Sequence, residues 1–434
     1  MGRRRCLRPR CPIAAPRDRW SYALPRQVRI MGRRCHGTVI GSMPQSMIKP
    51  LNLLRPQTRA NPQPIPPCGT RHQSEPVRGR RQADDGRSDM TNTTKATKTW
   101  PINTAPWLES RAQSRKACRV IIDNDFAGDP DDLFQLVHHL LSETADIRLI
   151  VCSHLHAGDF LHSSPHSAAD GRKRVETLLG LLGARDDDGI VVTGSELPLA
   201  DASTPRPSEA CEAIIREAMR DDTDLPLYYV AGGGVTDLIS ASLTEPAIAG
   251  RMSVVWIGGQ EYPGFAQPPL GRFAKEYNAE IDPFAARALL CDSAFPLWQV
   301  PRDVYRQCLV SVAQLRERLR PLGPLGGFLL DEIDRIRFGE RYGTQPTGAY
   351  CLGDSPLVGL TVLQTPWDTA PASCSWFTVA DDPGVKLNAD DRPLPPHVTA
   401  TNQGRIHVVT HVDTWLLFED LYAKLAAFGR WIDA

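Results

Sequence analysis

The 434-residue sequence has no Cys-x-x-Cys pair, no apolar run long enough to span a bilayer and no net formal charge. Its eleven cysteines stand singly, four before residue 90 and seven after it, so the spacing of a zinc site or of a disulfide framework is not present. The start of the chain also has no apolar centre of the kind that a secretory signal needs. We therefore expect buried thiols in a reducing compartment, a cytoplasmic location and no contact with a membrane.

The zero net charge conceals an uneven distribution. Residues 1–90 carry eighteen Arg and one Lys against five acidic residues, a net charge of +14, which the remainder balances with −14. An acidic body argues against nucleic acid as a partner of the folded domain. The basic part is rich in Arg, Pro, Gln and Ser without an apolar period, so it cannot bury a core.

We therefore predict a disordered arm and linker over residues 1–115 and a catalytic domain over residues 116–434. A translation start at Met90, with everything upstream wrongly assigned to the chain, is an alternative explanation of the arm. A wrongly assigned start, or simple disorder of the arm, is favoured over two other interpretations, an organelle transit peptide and a nucleic-acid-binding arm.

The most informative stretch is a short apolar segment that ends in carboxylates. Residues 120–122 are typical of a buried parallel strand, and apolar residues recur at helical spacing over residues 133–141. Five acids crowd the turn between them: Asp123, Asp125, Asp129, Asp131 and Asp132. Such a group repels itself unless a cation or protons intervene, and oxygen ligands suit Ca²⁺ or Mg²⁺. Helix capping would explain one or two of these acids, but not Asp123 and Asp125 on the strand side.

Strand-like and helix-like segments alternate along the following chain. They cover residues 147–152, 168–182, 189–193, 208–219, 227–231, 232–240 and 252–257. This alternation predicts an α/β fold with a mostly parallel, Rossmann-like open sheet and helices on both faces. Ligands of such sheets bind at the carboxyl ends of the strands, so the polar loops should gather there.

Beyond about residue 297 the pattern loosens. Helical stretches are predicted over residues 312–319 and 327–338, a strand over residues 404–410 and a closing amphipathic helix over residues 412–428.

Three later motifs should reach the same edge of the sheet as the acid turn. They are Gly233-Gly-Val-Thr-Asp237, Glu276-Tyr-Asn278 followed by Asp282-Pro283, and Gly353-Asp354. With the acid turn, their order and content resemble the inosine-uridine-type nucleoside hydrolases over roughly residues 118–360. That family shows Asp-x-Asp-Pro-Gly-x-Asp-Asp, Gly-Pro-Leu-Thr-Asn, Glu-Phe-Asn with Asp-Pro, and a late His-Asp. Four motifs in the same order are hard to obtain by chance.

The resemblance implies hydrolysis of the N-glycosidic bond of a small-molecule ribonucleoside or related N-riboside by a Ca²⁺-bound water that Asp125 activates. The Ca²⁺ ligands that it implies are Asp125, Asp132, the backbone carbonyl of Thr236, and Asp354, and the longer acid turn adds Asp129 as a further candidate ligand. The substrate-binding residues that it implies are Asp131, Asp159, Glu276 and Asn278. Family members are often dimers or tetramers, so a homo-oligomer is a further expectation.

The sequence departs from the family pattern at two places that bear on the site. The acid turn is two residues longer, so Asp129 could take a place that the family gives to Asp131 or Asp132. Gly353 stands where the family has the His that protonates the leaving base. His154 and His156, directly after the second strand, are the candidate replacements, although single loop histidines are more often only polar surface residues.

Three other functions stay open. A phosphatase of the haloacid dehalogenase type also has an apolar strand that ends in Asp-x-Asp, but Ala127 stands where that chemistry needs Thr or Val. A non-catalytic Ca²⁺- or sugar-binding member of the same fold would keep the acids without turnover. A glycoside hydrolase would use paired carboxylates on O-linked sugars.

Overall fold

The computed structural model of the chain describes residues 98–108, 116–262, 265–267, 275–337, 348–363, 377–381 and 406–434, of which residues 377–381 by their backbone alone. All described residues belong to one unit, Asp85–Ala434. The predictions for the basic arm and for a start at Met90 lie outside the described residues.

The described residues form strands and helices in alternation. The strands are β1 (Trp100–Pro101), β2 (Cys118–Asn124), β3 (Ala145–Cys152), β4 (Ala184–Arg185), β5 (Val191–Thr193), β6 (Leu227–Ala231), β7 (Ser253–Ile257), β8 (Leu297–Val300), β9 (Leu309–Ser311), β10 (Ala349–Cys351), β11 (Phe377–Asp381) and β12 (Ile406–Val412). The helices are α1 (Asp131–Leu140), α2 (Ser167–Leu182), α3 (Glu209–Ala218), α4 (Thr236–Thr244), α5 (Tyr277–Ile281), α6 (Pro283–Arg287), α7 (Arg302–Tyr305), α8 (Val312–Leu319), α9 (Pro324–Arg337), α10 (Pro356–Val362) and α11 (Thr414–Asp433).

One sheet of eight strands organises the domain, in the order β11-β12-β8-β7-β6-β2-β3-β5. Each neighbouring pair from β12 to β5 is parallel, and β11 lies antiparallel to β12 at the edge. β2 lies in the interior, where Val120 pairs with Tyr228 on one side and Ile147 on the other. All residues of β2 are buried, as expected for a central parallel strand covered on both faces.

Helices cover both faces of the sheet, and each face has its own apolar core. Ile122 belongs to the cluster that includes Leu133 of α1, whereas its neighbour Ile121 belongs to the cluster that includes Trp256 of β7. The split follows from the alternation of side chains along a strand. The predicted α/β class with a mostly parallel open sheet is therefore confirmed. Among the described helices, none has the length and apolar character that a bilayer span requires.

Several predicted elements agree closely with the structure. β6 and α8 have the predicted bounds. α2 ends at Leu182, and its C-cap is Gly183, whose φ of 64° is the left-handed conformation that favours glycine. Asp282 caps α6 as expected, since its side chain accepts a hydrogen bond from the Ala285 N–H. β8 was not predicted, because four residues between Pro296 and Pro301 are too short to show a period.

Residues 98–108 pack on the domain, although the sequence analysis assigns them to the linker. Trp100 is 1% exposed, and its Nε1 donates a hydrogen bond to the Leu182 carbonyl at 2.9 Å. Its ring meets Trp107 edge-on at 4.9 Å, and Trp107 meets Phe428 of α11 at 5.3 Å. The packed part of the chain therefore includes residues before position 116.

Candidate active site

A cavity of about 620 Å³ opens at the carboxyl edge of the sheet, where its wall includes Gly232 after β6 and Ile257 at the end of β7. A volume of this size falls within the range of small-molecule sites. The predicted site residues that line it are Asp125, Asp129, Asp131, Asp132, Asn278 and Asp354. The acid turn and Asp354, far apart in sequence, thus meet in one cavity.

Three carboxylates at this cavity form a compact group. Asp131 and Asp132 open α1, and Asp354 stands shortly before α10, with one carboxylate oxygen of each within 4.8 Å of the others. The Asp354 N–H donates to Asp131 Oδ2 at 3.2 Å. Asp132 Oδ2 is buried without a hydrogen-bond partner among the described residues. A buried oxygen of this kind beside two other carboxylates fits a hard divalent cation, so the group could hold a metal ion.

The carboxylates of the cavity disfavour one another's ionised forms. Burial, and then the charge of Asp354, raises the pKa of Asp125 and of Asp131 well above the usual value. Burial and the charge of Asp125 do the same to the pKa of Asp132. Burial raises the pKa of Asp354 to about 7, with a further contribution from Asp129. Protons or a cation must therefore compensate this site at neutral pH.

Asp129 lines the same cavity but already has protein donors. The Tyr350 hydroxyl donates to its Oδ1 at 2.5 Å, and the Asp131 N–H approaches the same oxygen at 3.4 Å. Burial raises the pKa of Asp129, and the hydrogen bond from Tyr350 opposes that rise. Asp129 thus has a hydroxyl donor, as does Asp123 of the same turn, which accepts a hydrogen bond from the Tyr229 hydroxyl.

Two glycines after β6 bring the backbone into contact with the acids. A Cβ on Gly232 would lie 1.9 Å from Asp354 Oδ2, and a Cβ on Gly233 would lie 2.7 Å from Asp125 Oδ1. Any side chain at either position would displace a carboxylate, because Cβ atoms essentially never come within 3.0 Å of another heavy atom. Glycine is therefore required at both positions by the close approach of the backbone to these carboxylates.

Asn124, between the first two acids of the turn, joins three parts of the site. Its amide nitrogen donates to Asp354 Oδ2 at 3.3 Å and to Gln135 Oε1 at 3.0 Å. Its Oδ1 accepts from the Gly232 N–H at 2.8 Å. Gln135 in turn contacts the buried ring of His139, which lies in the interior as a packing residue. No role for Asn124 was predicted from the sequence.

Glu276 and Asn278 both belong to the substrate-binding prediction, but only Asn278 lines the cavity. The Asn278 amide nitrogen donates to the carbonyls of Gly232 at 2.6 Å and Ile257 at 2.8 Å, so both of its hydrogens have backbone partners. The carboxylate of Glu276 is fully buried and caps α5. It accepts four hydrogen bonds, from the N–H groups of Gly259, Asn278 and Ala279 and from the Tyr305 hydroxyl.

Thr236 and His154 lie beside each other, outside the cavity lining. The Thr236 hydroxyl donates to Asp282 Oδ2 at 2.7 Å, and His154 Nε2 lies 3.0 Å from the same hydroxyl. His154 Nδ1 lies 2.9 Å from the Leu155 carbonyl, so both ring nitrogens of this buried residue have protein partners. His156 is exposed. It begins a turn in which the Asp159 N–H donates a hydrogen bond to the His156 carbonyl at 3.1 Å. The structure brings neither histidine into the cavity wall.

Asp159 reaches the cavity through Tyr277. The Tyr277 hydroxyl donates to Asp159 Oδ2 at 2.8 Å, and the Leu161 N–H donates to Asp159 Oδ1 at 2.6 Å. Tyr277 and Leu161 both line the cavity, as does Phe160, whose ring meets Tyr277 edge-on at 6.3 Å. Asp159 thus holds two parts of the wall in place.

Several cavity residues were not predicted. Tyr277 stands inside the Glu-Tyr-Asn motif, so the motif was the signal that could have pointed to it, whereas Tyr305 has no local signal. A Cβ on Gly353 would lie 3.3 Å from the Tyr305 ring and 3.1 Å from Asp131 Oδ2. The tyrosine ring therefore borders the place where the family has a histidine. Lys275 and Glu280 line the cavity as well and form an ion pair at 2.6 Å.

An open parallel sheet with a buried carboxylate group at its carboxyl edge defines this chain as an α/β protein with a candidate metal centre. The model of the family described as inosine-uridine preferring nucleoside hydrolase matches residues 120–355, more than half of the chain. The protein therefore belongs to the inosine-uridine preferring nucleoside hydrolase family, and it is an N-glycosyl hydrolase that acts on ribonucleosides. This assignment sets the phosphatase interpretation aside.

Solved structures show the same fold at low sequence identity. The purine-preferring ribonucleoside hydrolase from Gardnerella vaginalis superposes with a TM-score of 0.54 at 19% identity, over 72% of this chain and 99% of that one. An inosine-guanosine nucleoside hydrolase gives a TM-score of 0.50 at 17% identity, over 71% of this chain and 99% of its own. A comparison with curated protein sequences finds no match.

Proposed function

We propose that the protein hydrolyses the N-glycosidic bond of a small-molecule ribonucleoside or related N-riboside, with Asp125 as general base and Ca²⁺ as cofactor. The observation that carries this proposal is the meeting of the acid turn with Asp354 in one cavity. The family assignment supplies the reaction class. We further propose a cytoplasmic homo-oligomer whose folded domain has no nucleic-acid or membrane partner.

The carboxylate group suits Ca²⁺, which prefers six to eight oxygen ligands and tolerates irregular geometry. The proposed ligands are Asp125, Asp129, Asp132, the backbone carbonyl of Thr236, and Asp354. Asp131 stands in the compact group with Asp132 and Asp354, so it can contact the ion as well as sugar hydroxyls. When bound, Ca²⁺ would favour ionisation of a water and attract ribose oxygens.

Asp125 is our candidate base because of its position and its environment. It lines the cavity, and its pKa is raised by burial and by Asp354, so its carboxylate takes up a proton more readily than an ordinary surface acid. A base of raised pKa is better matched to proton transfer near neutral pH. The surrounding acids also place negative charge where an oxocarbenium-like sugar develops positive charge.

Binding and orientation of the sugar fall, in this proposal, to a set of residues on the opposite wall. Asn278 offers its Oδ1 directly. Glu276 acts through the hydroxyl of Tyr305, and Asp159 acts through the hydroxyl of Tyr277. Such contacts hold the reacting carbon at a fixed distance from the attacking water. Phe160, 42% exposed beside Tyr277, gives this wall an apolar edge.

His156 is our candidate for protonating the leaving base, because it is exposed in the loop that leads to the cavity residues Phe160 and Leu161. His154 would contribute only through its contact with Thr236. Histidine side chains commonly serve as general acids in catalysis.

The test compares Asp125→Asn and His156→Gln on inosine and on p-nitrophenyl riboside. Asp125→Asn should reduce kcat by about 10²–10⁴-fold on both substrates, since attack on the sugar is common to them. His156→Gln should slow only inosine, because p-nitrophenolate departs without a proton. Asp331→Asn, an exposed acid outside this cavity, is the control and should leave kcat unchanged. Full activity of a folded Asp125→Asn protein would rule out Asp125 as the base, and Ca²⁺ binding without ribose release would favour the non-catalytic alternative.

A further inference from the structure

The acid turn presents carboxylates to the cavity, and two arginines donate hydrogen bonds to its backbone carbonyls. Arg174 of α2 donates from Nη1 to the Phe126 carbonyl at 3.2 Å and to the Ala127 carbonyl at 3.1 Å. Arg335 of α9 donates from Nη2 to the next carbonyl, that of Gly128, at 2.7 Å. Three consecutive carbonyls of the turn are thus satisfied by guanidinium groups. These residues belong to the stretch that is longer here than in the family pattern.

One carboxylate joins the two arginines. Glu332 Oε2 accepts from Arg174 Nη2 at 2.8 Å and from Arg335 Nε at 2.9 Å. The side chains of Arg174 and Glu332 are 19% and 15% exposed, so the ion pairs are shielded from water more than surface pairs are. Without Glu332, two cations would face each other across the turn, and both would lose the partner that orients them.

Arg335 also contacts the other wall of the cavity. Its Nη1 lies 3.5 Å from the carbonyl of Leu161, a cavity residue in the loop that Asp159 organises. The same guanidinium therefore touches the acid turn and the loop on the substrate side. α9 itself supplies no residue to the cavity lining, so its influence on the site must pass through these contacts.

The turn depends on these donors because little else can satisfy its carbonyls. Phe126 and Ala127 are fully buried, and α2 packs so closely that a Cβ on Gly171 would lie 3.3 Å from the Ala127 nitrogen. Buried backbone carbonyls without partners are costly, and a guanidinium offers several donors in a fixed plane. Loss of the arginine orientation should therefore move the turn that carries Asp125 and Asp129.

We propose that Glu332, with Arg174 and Arg335, is a positioning unit that fixes the acid turn and the Leu161 loop relative to each other. These residues do not touch substrate; they set the geometry of the groups that do. The inference rests on the proposed function for its effect on Ca²⁺ and substrate, but not for its effect on the turn itself.

The experiment compares Glu332→Gln with Asp334→Asn in the full-length protein. Asp334 is the matched control, because it lies on α9 and pairs with Arg337 at 2.9 Å and Arg316 at 3.4 Å, away from the acid turn. Hydrogen–deuterium exchange is followed on peptides that cover residues 120–135 and 155–165. Ca²⁺ affinity is measured by calorimetry. The values of kcat and KM are measured with p-nitrophenyl riboside as substrate.

Glu332→Gln should raise amide exchange in both peptides and weaken Ca²⁺ binding by about 10–100-fold, as supporting residues around metal ligands commonly do. KM should rise with it, whereas Asp334→Asn should match the native protein in every measurement. Arg335→Lys, which keeps the charge but loses the paired donors, should lie between them.

Exchange in Glu332→Gln equal to that in Asp334→Asn would overturn the positioning role. A second outcome is that the native protein neither binds Ca²⁺ nor releases ribose, while both peptides still exchange faster in Glu332→Gln than in the native protein. That result would support the positioning unit and reject the proposed function. Native Ca²⁺ affinity and turnover in Glu332→Gln would leave the function standing and reject the inference.

Discussion

Replacement of Gly232 by alanine should disrupt the carboxylate group without unfolding the protein. The new Cβ would lie 1.9 Å from Asp354 Oδ2 and 2.7 Å from Asn124 Oδ1, against a closest normal approach of 3.0 Å. Gly232 is not among the glycines of positive φ, so alanine can adopt its backbone conformation and the clash is the main perturbation. Relief of that clash requires Asp354 Oδ2 to move by at least about 1 Å.

A displacement of this size has a calculable effect on the site. A shift of about 1 Å in a catalytic group costs about 10²-fold in rate, so kcat/KM on p-nitrophenyl riboside should fall about 10²-fold. Ca²⁺ affinity, measured by calorimetry, should fall with it. Gly180→Ala in α2 is the matched control, because no atom lies within 4 Å of its Cβ position and helical alanine should stabilise the fold by about 0.5–1 kcal/mol. Native turnover and Ca²⁺ affinity in Gly232→Ala would refute the view that Asp354 must keep its place beside β6.

Two further predictions concern stability. The pKa of Asp354 is about 7 in the folded protein and about 3.9 in the unfolded chain, so the folded state binds more protons between these values. Without Ca²⁺, the melting temperature should therefore fall as pH rises between about 4 and 7. The gain in melting temperature on adding Ca²⁺ should be larger at pH 8 than at pH 5, and an equal gain would contradict the proposed ligand role. Trp100→Ala should lower the free energy of unfolding by about 3–5 kcal/mol, since the ring is buried. Trp415→Ala, at a side chain 72% exposed, should change it by less than about 0.5 kcal/mol in the same urea titration.

The fold was largely predictable because its central elements have strong local patterns. The β-branched run of β2 and the alternating segments up to β7 indicate a parallel sheet, and the structure confirms it. β8 and the antiparallel pair β9–β10 were not predicted, since their strands span four and three residues. The packing of Trp100 was also missed, because its partners Trp107 and Phe428 lie on segments that no local period connects.

The gathering of acids was expected from the sequence, but the contacts of individual side chains were not. Asp131, Asp132 and Asp354 meet as the parallel topology requires. No local sequence pattern indicates that the Glu276 carboxylate accepts four hydrogen bonds from the protein, or that His154 contacts the Thr236 hydroxyl. The contact of Arg174 with Glu332 joins residues 158 positions apart, so no sequence motif contains it.

The position of Asp354 in the chain has a consequence for how the protein reaches its final shape. It lies 223 residues after Asp131, so the two carboxylates stay apart until α10 settles against α1. Docking of α10 brings like charges together at neutral pH, and electrostatic repulsion therefore opposes that step. A divalent cation bound between the carboxylates would favour the docking of α10, so refolding should be faster in the presence of calcium than in the presence of a chelator.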